Sequence, residues 1–180
     1  MKIRLRQTIL LFFSSLFLTT CGTNASDADR LFVADLIPHH ILGVKLINEA
    51  SIRSSDVRLK KLVFDMSSYH HRELHDLETW ATDWKIVLNR TFPGSLTSQE
   101  LDDLRALSDL DYDVKWLKLM IKHHEGAIEI ANRLLAESSN PRTTSMALRV
   151  KKTQSIEIHS MRELLWALCD FVDSPTVSAD

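Results

Sequence analysis

Eight histidines occur in this 180-residue chain: His39, His40, His70, His71, His75, His123, His124 and His159. All fall in segments whose apolar residues recur at helical spacing, and none falls in a loop. Three adjacent pairs occur, His39-His40, His70-His71 and His123-His124, and the first and last recur in one register. Clustered imidazole and carboxylate, with no cysteine among them, is transition-metal chemistry, and imidazole suits copper, zinc and other divalent transition metals. Where these side chains point follows from a rotation of about 100° per residue. Taking Met120 as the centre of its apolar stripe, His124 lies about 40° to one side and His123 about 60° to the other. His40 and His39 stand in the same relation to Leu36. Both pairs therefore border or enter a helical interior. On two other segments the stripe carries His70 with Glu73 and Gln154 with Glu157, each an i, i+3 pair on one face. A buried carboxylate is costly unless it is paired or bound to a metal. The candidate metal residues are thus His39, His40, His123, His124, His70, Glu73 and Glu157. His71, His75 and His159 point away from their own stripes and are secondary candidates. Met120 and Met161 join them only because thioethers bind Cu(I); Met66, Met120 and Met161 all lie on stripes, where packing is their default role.

The segments that carry these residues are copies of one unit. Residues 29–80 match residues 113–164 at a constant offset of 84. Asp29 falls on Asp113, and Ile37, His39 and His40 fall on Ile121, His123 and His124. Ser54-Ser55-Asp56 falls on Ser138-Ser139-Asn140, and Glu73 and His75 fall on Glu157 and His159. A single register held across two distant clusters points to duplication. Each copy reads as a helical hairpin. Phe32, Leu36, His40, Gly43 and Ile47 form one stripe, and Leu59, Leu62, Met66, His70, Glu73, Leu77 and Trp84 the next. In the second copy the stripes are Trp116, Met120, His124, Ala127, Ala131 and Leu134, then Ala147, Val150, Gln154, Glu157, Met161, Leu165 and Leu168. Asn140-Pro141 has the composition of a helix start. Thr97 to Glu100 has capping-box spacing and predicts a short connecting helix after the loop at Thr91-Phe92-Pro93-Gly94. Pro38 conflicts with its helix and predicts a bend or restart just before His39. The expected fold is all-α: a ferritin-like four-helix bundle over 29–173, built from repeat 1 (29–84), a connector (85–112) and repeat 2 (113–170), with a tail at 174–180.

Residues 1–21 read as an export signal, not as part of the fold. Lys2, Arg4 and Arg6 precede an apolar run from Ile9 to Leu18, which is too short for a stable anchor. Leu18-Thr19-Thr20-Cys21 resembles a lipobox, so Cys21 is the expected lipidation site, followed by a linker at 22–28. The expected location is a periplasmic or cell-surface lipoprotein, held to a membrane by that lipid. Cys169 is then the remaining thiol, with no partner for an internal disulfide; its neighbours suggest a partly buried side chain. A formal net charge of -2 offers no basic surface for nucleic acid. A homo-oligomer is compatible with the sequence.

LIPHHILGVKLINEA and MIKHHEGAIEIANRLL resemble the hallmark helix of the domain-of-unknown-function 305 family. QSIEIHSMRELL resembles its second motif. The resemblance spans about residues 29–168 and implies a ferritin-like, often exported protein from a family with copper-binding members. It places His39, His40, His123 and His124 at the hallmark positions, and Gln154, Glu157 and Met161 at those of the second motif. The first copy departs from the pattern, with His70 and Leu77 where Gln and Met are common. The expected function is extracytoplasmic binding of a transition metal, copper first, for sequestration or delivery, with no catalysis. One alternative is a metal-free structural bundle. Another is a di-iron oxidase, which needs Glu-x-x-His; the spacing here is Glu-x-His, whose members diverge by about 200° and cannot chelate one ion.

Overall fold

The computed structural model describes residues 25–173. The export signal, Cys21 and the tail at 174–180 lie outside the described residues. Five helices follow in order: α1 (Asp27–Arg53), α2 (Val57–Trp84), α3 (Ser98–Ala106), α4 (Asp109–Glu137) and α5 (Pro141–Asp173). No strand occurs among the described residues. Helices α1 and α2 form one hairpin, α4 and α5 the other, and α1 packs on α4 between them. Helix α3 is the short connector, opened by a capping box between Thr97 and Glu100. The Asn140 side chain accepts the Arg142 amide at 3.1 Å, with Pro141 in the first position of α5.

The hairpin breaks also hold the two hairpins together. Asp29, at the start of α1, is buried and accepts from the Ser138 and Thr143 hydroxyls at the other hairpin's break. Burial alone would raise its pKa, but these bonds and those from Ser26 bring it down to about 2. Asp113 sits reciprocally against Ser54 and the Asp56 amide. It has fewer donors, because Asp56 and Leu59 stand where Asn140 and Thr143 stand in the second repeat. Burial therefore prevails at Asp113, and its pKa is raised.

Helix α1 runs unbroken through Pro38, so the expected restart does not occur. Proline has no N–H to give the carbonyl of residue 34. The Asn89 amide supplies the missing bond to Ala34 O at 3.1 Å. The Asn89 side chain also donates to Asp35 at 2.6 Å. The connector thus repairs the helix where proline breaks its ladder.

The interior is apolar at both ends. Leu46, Leu59, Met66, Trp116, Met120 and Met161 belong to one buried cluster. Phe32, Leu36, Leu77, Ala127, Leu134 and Val150 belong to the other. On every long helix a pair of buried polar residues lies between these clusters. Cys169, in contrast, is exposed, against the expectation of partial burial. It follows buried Leu168, and a turn of about 100° carries the next side chain out of the core.

Candidate metal centre

The polar residues at the waist of the bundle are His39 and His40 on α1, His70 and Glu73 on α2, His123 and His124 on α4, and Gln154 and Glu157 on α5. All are buried, and the four hallmark histidines have no exposed surface. The expected inward facing of both His-His pairs is what the fold shows. His71, His75 and His159 are exposed, with His159 beside Glu163 at 3.2 Å. Glu73 is therefore buried while His75 faces solvent, which rules out joint chelation by the Glu-x-His pairs. Met120 and Met161 are fully buried within the apolar cluster next to the belt.

The hydrogen bonds define each ring. His40 Nε2 donates to Glu73 Oε2 at 3.0 Å, and His124 Nε2 to Glu157 Oε2 at 2.9 Å. These two pairs occupy matching positions in the two repeats. His39 Nε2 donates to the His123 carbonyl at 2.9 Å, and the two rings stack with centroids 3.7 Å apart. His123 Nδ1 donates to Gly94 O at 2.9 Å, and His70 Nδ1 to Met66 O at 3.1 Å. A carbonyl or carboxylate oxygen can only accept, so each of these nitrogens carries the ring proton. The other nitrogen of every ring is buried and has no hydrogen-bond partner: His39 Nδ1, His40 Nδ1, His70 Nε2, His123 Nε2 and His124 Nδ1. A second proton there would be a buried donor without an acceptor, so these five nitrogens keep free lone pairs.

Burial enforces the neutral state. It is the largest effect lowering His39, His70 and His123, reinforced by neighbouring histidines; His123 falls to about 3. Glu73 and Glu157 are each engaged with an imidazole, whose ring they orient. Arg149 Nε also approaches Glu73 Oε1 at 3.6 Å.

The connector loop closes the belt from one side. Gly94 adopts φ +76°, and a Cβ there would stand 2.5 Å from the His123 carbonyl oxygen. A Cβ on Gly126 would collide with the Pro93-Gly94 backbone. Two residues without side chains thus allow the contact that lets Gly94 receive the His123 proton, and Phe92 meets the His39 ring edge-on. The sequence showed this segment only as a loop. Gly43 was likewise read only as part of a stripe; the one signal of its importance was that Ala127 replaces it at the offset. Among the described residues, no three His, Cys, Asp or Glu side chains stand close enough to hold one ion together.

An all-α bundle of two hairpins with a buried histidine belt is the class of protein that the fold and site define. Residues 87–165 match the model of the family described as domain of unknown function (DUF305). A DUF305 protein from Streptomyces coelicolor has a similar structure, with a TM-score of 0.73 at 24% identity, covering 78% of this chain and 92% of that one. A DUF305 fragment from Deinococcus radiodurans gives 0.73 at 22% identity, covering 79% and 98%. CopM in its Cu(I)-bound form gives 0.68 at 22% identity, covering 77% and 95%. CopM has also been solved in Cu(II)-bound, Ag-bound and apo forms. At these identities the likeness establishes the fold. No curated protein matches the chain significantly.

Proposed function

We propose that this protein binds copper outside the cytoplasm, through its buried histidine belt, to sequester the metal or hand it on. One observation carries the reading. Each of the five buried imidazoles commits one N–H to a fixed oxygen acceptor and keeps the other nitrogen bare. That is the arrangement that orients metal-ligating histidines and sets their tautomers. His39, His40, His70, His123 and His124 are the candidate donors, no three of them close enough to share one ion, and Glu73 and Glu157 hold two of the rings. Bound copper would be cargo, and the belt's work is to hold it away from water. Export rests on the basic start and apolar run of residues 1–21, and anchoring on a lipid at Cys21.

A metal-free structural bundle is favoured by the His40–Glu73 and His124–Glu157 pairs, which satisfy each other without an ion. It leaves five buried nitrogens that need an ion or water to face, at about 1–3 kcal/mol for each group left unsatisfied. That total rivals the ~5–15 kcal/mol net stability of a whole domain. Copper titration by calorimetry separates the two readings. Wild-type protein and a His75→Ala/His159→Ala variant, altered only on the exposed surface, are expected to bind alike. Absence of binding by the wild type returns the belt to a structural role; loss in the surface variant alone moves the site outside the bundle.

A further inference from the structure

The five bare nitrogens do not converge on one point, but two of them do. His123 Nε2 lies 3.1 Å, and His70 Nε2 3.3 Å, from the place where a Cβ on Gly43 would stand. Both nitrogens thus lie beside the same point, where His70 Cδ2 also comes within 3.1 Å. In both rings the proton sits on Nδ1, which donates to Gly94 O in His123 and to Met66 O in His70, and neither Nε2 has a partner. Gly43 lies in the middle of α1 and does not have a positive φ, so its backbone conformation is open to alanine. Glycine there weakens the helix relative to alanine. Space, rather than conformation, is what glycine supplies.

The second repeat lacks this arrangement. At the offset of 84, Gly43 becomes Ala127 and His70 becomes Gln154. A methyl group occupies the position, and the facing side chain is an amide, whose oxygen is a poor donor for a soft ion. The donor count also selects the ion. Two neutral imidazoles, with no third His, Cys, Asp or Glu in reach, cannot build the tetrahedral shell of zinc. Closed-shell monovalent ions accept two donors, and a single charge is cheaper than a double one to bury in a dry interior. The thioethers of Met66, Met120 and Met161 lie in the adjoining cluster.

We infer that one monovalent d10 cation, copper(I) or its surrogate silver(I), is held between His70 Nε2 and His123 Nε2 in the space over Gly43, and that the second repeat has no matching place. This rests on the reading that the belt binds metal, and narrows it to one position and one ion per chain. Silver(I) titration of the purified protein tests it, with stoichiometry from calorimetry and ring-nitrogen shifts from NMR. One ion per chain is expected, shifting the Nε2 resonances of His70 and His123. Gly43→Ala fills the space and His70→Gln copies the second repeat. Each is expected to weaken binding at least tenfold, with helical content unchanged. Ala127→Gly combined with Gln154→His is expected to raise the stoichiometry towards two. Unchanged affinity in His70→Gln, or in a folded Gly43→Ala variant, places the ion elsewhere in the belt and overturns the inference while leaving metal binding intact. Two ions in the wild type, or still one in the repeat-2 double variant, overturns the asymmetry. A wild type that binds no silver or copper overturns the metal reading itself.

Discussion

His39, His70 and His123 are bases held neutral by burial, and this links the metal-free protein's stability to pH. Their folded pKa values lie below the ordinary histidine value of 6.5, at about 3 for His123. The unfolded chain therefore takes up protons first as pH falls. Stability is fully present above about 6.5 and is lost as pH drops through the window towards the folded values, by about 1.4 kcal/mol per pH unit for each histidine. Asp29 adds nothing to this change, because its own stabilising contribution is fully present above 3.8 and is lost only as pH falls from there to about 2. Urea unfolding of metal-free protein at pH 7 and pH 5 is expected to show a drop of several kcal/mol. Equal midpoints at the two pH values would mean that the three rings are not held neutral.

At the scale of elements, the connector does more than join the hairpins. Asn89 completes the ladder of α1 at Pro38, and Gly94 fixes the tautomer of His123. Gly94→Ala strains a positive φ and drives a Cβ towards the His123 carbonyl, a backbone atom with little freedom to retreat. A loss of at least about 2 kcal/mol is expected, since overpacking and left-handed strain each cost ~1–3 kcal/mol. Thermal unfolding measures it, and a melting temperature within a degree of wild type would show that the loop can lift off α4 freely. The connector lies outside both 29–84 and 113–170, so its contacts to Ala34 and His123 are one source of asymmetry between the two hairpins.

The whole molecule is two apolar clusters separated by a polar waist, with the hairpins locked by Asp29 and Asp113 reaching across to each other's breaks. On the proposed lipidation, Cys21→Ala is expected to release the protein from the membrane fraction in a fractionation assay while its helical content stays the same. A membrane-bound Cys21→Ala variant would show that the lipid is not what holds it.

Periodicity, the repeat and the caps sufficed to read four long helices, a short connector and two inward His-His pairs, because helical facing depends on local geometry that spacing encodes directly. His70–Glu73 and Gln154–Glu157 were legible as buried polar pairs for the same reason. Spacing could not say which nitrogen of each ring stays bare. For four of the five rings that depends on acceptors 29 to 84 residues away, such as Gly94 O for His123 and His123 O for His39, while His70 bonds to Met66 O in its own helix. Nor could it say that Pro38 leaves α1 intact, since the repair comes from Asn89, or that Cys169 turns outward. The role of Gly43 was also hidden, because a missing side chain acquires meaning only when two rings from α2 and α4 close around it. Facing is a property of one helix and can be read along the chain; tautomers, cradles and repairs belong to atoms brought together only by packing.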